Sequence, residues 1–238
     1  MIGDPIAHSA SPGLHRAFLG AAELDGTYEA FVVQPGGVAR AIETFRERGY
    51  SGLNVTTPLK EEAFACAQTH DAAARASGSV NTLVLGERID GYSTDGIGVL
   101  AALAAAGLRQ PSQAHVLVLG AGPTARAAVA ALVSDRARVC VWNRTHERAA
   151  AVARTFDVAL WRAGSRIDAV IAALPPAILL DDAELVAALQ SAPVVIDVNY
   201  GARATLAASL GRADVHDGEA MLRAGARASF ALFRRAIR

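Results

Sequence analysis

Val116–Leu117–Val118–Leu119–Gly120–Ala121–Gly122–Pro123–Thr124–Ala125 is the stretch whose reading decides how this chain folds. Four apolar residues in a row describe a strand covered on both faces. They run into Gly-x-Gly-x-x-Ala, and Pro123 stands where a helix opens. Each position in that turn has a physical task. Gly120 permits the tight turn, Gly122 lets backbone approach a pyrophosphate, and Ala125 is small enough for the helix to lie close on the strand. The free N–H groups of the Gly120–Ala121–Gly122–Pro123–Thr124–Ala125 run, at the positive end of a helix, suit phosphate oxygens. In isolation the pattern also fits a merely tight strand-to-helix turn. Its place between a strand and a helix gives it weight.

Working toward the C-terminus, Arg138–Trp142 reads as the next strand, followed by Asn143, Arg144 and Thr145 and a helix from His146 to Thr155. A site for NAD puts Asp or Glu at the end of this strand, to accept from the ribose 2′-hydroxyl. Here the place is taken by Asn143–Arg144–Thr145. A carboxylate would repel a 2′-phosphate, whereas a guanidinium grips one and stacks on a purine. A solvated arginine after a strand is the plainer alternative; the chemistry favours NADP. Asp168–Ala173 and Val194–Val198 are further apolar strands. Strand alternating with helix predicts an α/β fold, a parallel sheet with right-handed crossovers.

Composition narrows the partners. Of the 238 residues 52% are hydrophobic and 19% charged, enough to bury a core. The 23 Lys and Arg balance 23 Asp and Glu, so no nucleic-acid or acidic-membrane partner is expected. Arg234, Arg235 and Arg238 read as a solvated helix end. Cys66 and Cys140 read as separate buried thiols, and no spacing suggests a metal site. No apolar run reaches ~18 residues without a charge or breaker, so a soluble protein in the cytoplasm is expected; monomer and homodimer both stay open.

Working toward the N-terminus, the sequence predicts a helix over Ser11–Ala22, a strand over Tyr28–Val33, a helix over Val38–Arg48, a strand over Gly52–Val55 and a helix over Pro58–Ala67. Val80–Leu85 and Arg88–Tyr92 pair as strands, and a helix runs from Gly98 to about Ala106. Gly107–Pro111 reads as the best candidate boundary between two domains.

Three phrases carry polar residues that packing does not require. Ser9 and Ser11 are two apart, so in extended chain their hydroxyls share a side and suit a carboxylate; alternatively Ser11 caps the next helix. In Asn54–Val55–Thr56–Thr57–Pro58–Leu59–Lys60, the lysine opposes the dipole of the helix it opens, a setting that suits proton transfer. Asn81–Thr82 precedes Tyr92–Ser93–Thr94–Asp95, where Asp95 is an N-cap or something more. All three phrases end strands, where open α/β sheets bind ligands.

Taken together the phrases resemble those of shikimate dehydrogenases, over almost the whole chain and in the family's order. The matching phrases are Gly3–Pro12, Asn54–Glu61, Val80–Thr82, Thr94–Gly98, Gly120–Ala127 and Asn143–Ala149. The resemblance implies reversible, NADP-dependent oxidation of shikimate to 3-dehydroshikimate. By matching position, Ser9 and Ser11 would hold the substrate carboxylate. Thr56, Asn81 and Asp95 would bind ring hydroxyls, and Lys60 and Asp95 would be the acid–base pair. Tyr200 would stand near substrate and nicotinamide, with Gly218 and Met221 beside the nicotinamide. It also implies a substrate domain, 1–98, joined by the last helix, 217–238, and a Rossmann-type NADP domain, 99–216. Four places depart from the pattern: Arg16, Ser93, the Ala172–Pro176 stretch, and Gly225, where the family carries a substrate-binding Gln. They leave open quinate, an aminoshikimate or another cyclic hydroxy-acid as substrate, and a non-catalytic NADP-binding sensor.

Overall fold

The computed structural model describes residues 1–236. Contacts divide the chain into two units, one formed by Met1–Asp95 with the segment that begins at Leu222, the other by Gly96–Met221.

The first unit runs β1 (Ile2–Gly3), α1 (Ser11–Ala21), β2 (Phe31–Val32), α2 (Val38–Glu47), β3 (Gly52–Asn54), α3 (Lys60–Cys66), β4 (Thr69–His70), α4 (Ala72–Ser77), β5 (Thr82–Leu85) and β6 (Ile89–Tyr92). Its sheet has the order β3-β5-β6-β4, with β5 antiparallel to both neighbours and β4 parallel to β6. β1 and β2 pair in parallel alongside it, and Ile2 bridges to Val55. Helix α2 buries Val38, Ala41, Ile42 and Phe45, spaced as one helical face, against Ile2, Leu53 and Leu83. Its first turn has no cap of its own. The Glu62 carboxylate, from α3, accepts from the N–H groups of Gly36 and Val38 at 2.9 and 2.8 Å.

The second unit continues with α5 (Asp95–Ala105), β7 (His115–Leu119), α6 (Pro123–Ser134), β8 (Arg138–Trp142), α7 (His146–Phe156), β9 (Ala159–Leu160), β10 (Ala169–Ala172), α8 (Ala183–Ser191), β11 (Val194–Asp197) and α9 (Leu206–Leu210). Helix α10 (Glu219–Ala236) closes the described chain; residues 237 and 238 of the expected last helix lie outside the described residues. The five strands are all parallel, in the order β11-β10-β7-β8-β9. Strand period explains why β7 is apolar throughout. Val116 and Val118 belong to the cluster made with α5, α6 and α7, and Leu117 and Leu119 to the one made with α8 and α9.

Several expectations are corrected. Only Phe31 and Val32 of the Tyr28–Val33 stretch join a ladder, because only they lie beside β1. The units divide at Asp95 and Gly96, in the first turn of α5, and Gly107–Pro111 is a turn inside the second unit. The reason is packing. Val99, Ala102 and Leu103 share a core with Val116 and Val118, and backbone at Gly96 comes so near α6 that a Cβ there would lie 2.8 Å from the Ala131 Cβ. Cys66 and Cys140 are free but half-buried rather than buried; burial pushes the Cys140 thiol up to about 11. Arg234 and Arg235 are exposed, as a solvated helix end should be; Arg238 lies outside the described residues.

From Leu222 onward the last helix belongs to the first unit, and one of its close approaches is at Gly52. A Cβ at Gly52 would lie 2.3 Å from the Phe233 ring, so glycine there lets α10 settle on β3. Among the described residues, no helix is long and apolar enough to cross a membrane.

Candidate active site

Lys60 opens α3 and Asp95 opens α5, and the fold brings the two together. Nζ of Lys60 lies 2.5 Å from Oδ2 of Asp95, with 7% and 8% of the two residues exposed. A buried ion pair stands only if its remaining hydrogen-bonding capacity is met. Asn81 supplies part of this, Nδ2 donating to Asp95 Oδ1 at 2.7 Å. The other Nδ2 hydrogen goes to Thr94 Oγ1 at 3.0 Å, while Oδ1 accepts from the Thr94 N–H and from Thr82 Oγ1, both at 3.0 Å. The carboxamide is thereby engaged on both its donor hydrogens, holding Asp95.

Sequence reasoning missed the residues behind Asn81. Asn54 donates from Nδ2 to Thr82 Oγ1 at 3.0 Å and to the Asn81 carbonyl at 3.2 Å. Its Oδ1 accepts from the Tyr28 hydroxyl at 2.6 Å. Burial pushes the Tyr28 phenol upward, so it remains a donor. Asn54 stood in a phrase already singled out. Tyr28 carried no local signal, because its partner is 26 residues away.

The other expected substrate residues are arranged differently from the extended-chain picture. Ser11 is the first residue of α1 and Ala10 is helical, so Ser9 and Ser11 do not project side by side from a strand. Ser9 Oγ instead accepts from the Ser11 N–H at 3.3 Å and donates to Met1 Sδ at 3.2 Å; the chain must turn here for Pro12 to enter a helix. Thr56 accepts at its carbonyl from the Leu59 N–H, starting the turn that delivers Lys60, and its Cγ2 fills the space over Gly3. Tyr200, Gly218 and Met221 belong to the second unit. There Gly218 lies so close to Val198 that a Cβ would meet its carbonyl oxygen, and Met221 packs on Gly98.

At the ends of the parallel strands the geometry fits a dinucleotide. Gly120 has φ +113°, and a Cβ there would lie 2.5 Å from the Ala173 carbonyl oxygen, so the turn accepts only glycine. Beside Gly122 nothing lies within 4 Å of where a Cβ would be, and α6 starts at Pro123 without a side-chain cap. A helix start of this kind turns backbone N–H groups toward the place where an anion would sit. At the end of β8, a pocket of about 390 Å³ is lined by Trp142, Asn143, Arg144, His146, Trp161 and Asp182 among others. Thr145 is the N-cap of α7, and Asn143 Nδ2 donates to its carbonyl at 3.0 Å. Trp142, His146 and Trp161 were not foreseen, since nothing local to Trp161 ties it to β8.

Comparison with known proteins agrees with this geometry. Residues 1–83 match the family described as the shikimate dehydrogenase substrate binding domain, and residues 102–197 the family described as shikimate / quinate 5-dehydrogenase. A shikimate dehydrogenase (NADP(+)) of Acidiphilium cryptum is 45% identical over 160 residues, which are 66% of this chain and 57% of that relative. The match thus spans little over half of the relative's length. Shikimate dehydrogenase from Aquifex aeolicus superposes with a TM-score of 0.84 at 28% identity, covering 100% of this chain and 96% of the other. Shikimate 5-dehydrogenase from Thermus thermophilus, in complex with shikimate, gives 0.82 at 31% identity, covering 98% and 90%.

Proposed function

This chain belongs to the shikimate dehydrogenase family, and from that premise we propose that it interconverts shikimate and 3-dehydroshikimate with NADP. The observation that carries the proposal is the buried Lys60–Asp95 pair at 2.5 Å. A protein that only bound a nucleotide or a ring acid would have no use for it.

Oxidation of a secondary alcohol breaks a C–H and an O–H bond. When bound, NADP supplies the acceptor for the hydride. As Nζ of Lys60 takes the hydroxyl proton, the ammonium gives one of its own to Asp95 Oδ2, so the two residues together are the base. Reduction runs the same path backward, with Lys60 returning the proton to the oxygen. Asn81 fixes the carboxylate through Oδ1, which leaves Oδ2 for Lys60. In a site this poorly exposed, little reorganisation is needed as the charge shifts. On the same reading Ser9 and Ser11 hold the substrate carboxylate, Thr56 meets ring hydroxyls and Tyr200 lies near the reacting carbon. The α6 N-terminus takes the pyrophosphate, and Arg144 with Asn143 and Thr145 takes the 2′-phosphate. The ligand is a small cyclic hydroxy-acid met in the cytoplasm.

Turnover with NADP across shikimate, quinate and other cyclic hydroxy-acids tests this reading. The expected outcome is NADP-dependent oxidation with the highest kcat/KM on shikimate. Binding of NADP with no turnover of any acid would replace the enzyme by a sensor.

A further inference from the structure

We propose that Thr82 is a positioning residue for the acid–base pair, its hydroxyl joining the strand end that leads to Lys60 to the amide that holds Asp95. This deepens the function proposed above and rests on it. Lys60 and Asp95 reach the site on different stretches of chain. Lys60 follows β3 by way of Asn54 to Leu59, and Asp95 follows β6. Asn81 clasps Thr94 and Asp95, which are neighbours in sequence. Backbone pairing sets Asn81 beside β3, the Val55 N–H donating to its carbonyl at 2.8 Å. Between the side chains the link is Thr82, which lies opposite Asn54 in the β3–β5 register. Its Oγ1 accepts from Asn54 Nδ2 and donates to Asn81 Oδ1, both at 3.0 Å.

The directions of these bonds agree from both ends. The Tyr28 phenol donates to Asn54 Oδ1 at 2.6 Å, so Asn54 turns Nδ2 toward Thr82. A hydroxyl has a single hydrogen. Because Oγ1 accepts from Asn54, that hydrogen goes to Asn81 Oδ1. From the other side the Thr94 N–H, which can only donate, reaches the same oxygen at 3.0 Å. Asn81 thereby keeps Nδ2 for Asp95.

Packing does not account for the hydroxyl. Thr82 is 0% exposed, so it meets no ligand itself and acts only through its neighbours. Valine has nearly the same shape, suits a strand as well, and buries no oxygen. It would also leave neither amide stranded. Asn54 Nδ2 keeps the Asn81 carbonyl at 3.2 Å, and Asn81 Oδ1 keeps the Thr94 N–H. What valine removes is the tie between the two halves of the pair, and small misplacements of reacting groups are costly to rate.

The test is steady-state kinetics, with NADP and the cyclic hydroxy-acid that the unaltered protein turns over best, beside Tm. In Thr82→Val kcat should fall by about ten-fold, the worth of one hydrogen bond. Thr82→Ser, which has the hydroxyl without the methyl, should recover most of that loss. Tm should rank the two variants the other way, because serine leaves a methyl-sized void and valine leaves none. Tyr28→Phe should also lower kcat, and combined with Thr82→Val it should cost less than the product of the two single losses, since both act along one chain of bonds. An intact kcat in Thr82→Val, or activity that follows Tm through both variants, makes Thr82 a packing residue and overturns the proposal, with the roles of Lys60 and Asp95 untouched. If Thr82→Val does not fold, Tyr28→Phe decides, by the same fall or its absence. An unaltered protein that turns over no cyclic hydroxy-acid overturns this role together with the function it rests on.

Discussion

Lys60 and Asp95 meet where little water reaches, so each is the other's main source of compensation for lost hydration. Lys60→Ala should lower kcat by about 10² to 10⁴, the usual worth of a positioned acid–base group. Cofactor affinity should hold, because Arg144 and the Gly120 turn belong to the other unit. Steady-state kinetics beside a direct NADP titration checks both, and a variant that keeps most of its turnover would make the pair purely structural. His15 is a second residue whose burial has a price in protons. It is 1% exposed, stacked on Tyr28 at 4.0 Å and ringed by Phe18, Phe230 and Phe233. Burial first, and the Met1 ammonium second, lowers its pKa from 6.5 to about 4. Between those values the unfolded chain binds the proton that the fold refuses. The stability held by neutral His15 is therefore complete above 6.5 and falls as pH drops toward 4, by roughly 3 kcal/mol at most. Urea midpoints of the protein and of His15→Phe, at pH 7.5 and about 4.5, should diverge, with the histidine form losing more. Parallel losses would refute this.

Elements were legible where their pattern is long or their turn chemistry strict. The β7–α6–β8 run could be read because four apolar residues, a glycine turn and a proline agree within one short stretch. The β5–β6 pair could be read from two strand-like runs on either side of Gly86–Glu87. The two-residue strands β4 and β9 could not, since two residues have no period and their ladders are set by Asp90 and Cys140, far along the chain. Lys60 and Asp95 announced themselves at helix starts, but the frame of Tyr28, Asn54 and Thr94 that holds them exists only once the strands are paired. The Ser9–Ser11 geometry was misread because Ser11 already lies in α1, as expected, and Ala10 before it is helical and not extended. Helix α10 carries its own test. A Cβ at Gly225 would lie 3.5 Å from Thr94 Oγ1, in ordinary contact beside the residue that precedes Asp95. Gly225→Gln should raise Tm, because glycine costs a helix up to ~1 kcal/mol. It should also raise kcat/KM on shikimate, by about ten-fold if the amide reaches one ring hydroxyl. A raised Tm with a lowered kcat/KM would mean that another group has taken that contact, or that a larger substrate uses the space.

For the whole molecule, the course of the chain matters more than any single contact. It leaves the first unit after Asp95, builds Gly96–Met221 in one continuous piece, and returns at Leu222 to lay α10 on β3. Phe233 is the fastening, 9% exposed and pressed over Gly52. Phe233→Ala should destabilise the first unit by about 3–5 kcal/mol and leave the second alone. Urea unfolding followed by tryptophan emission, which reports only on the second unit, and by hydrogen exchange at β3 and β5 should then separate into two transitions; a single shifted transition would show that the units unfold together. The same course imposes an order on synthesis. At roughly 5–20 residues per second, residues 96–221 are all translated before the helix that covers His15 and the Gly52 face of the first unit. Nascent-chain chaperones thus have their longest opening on the part of the protein that was made first.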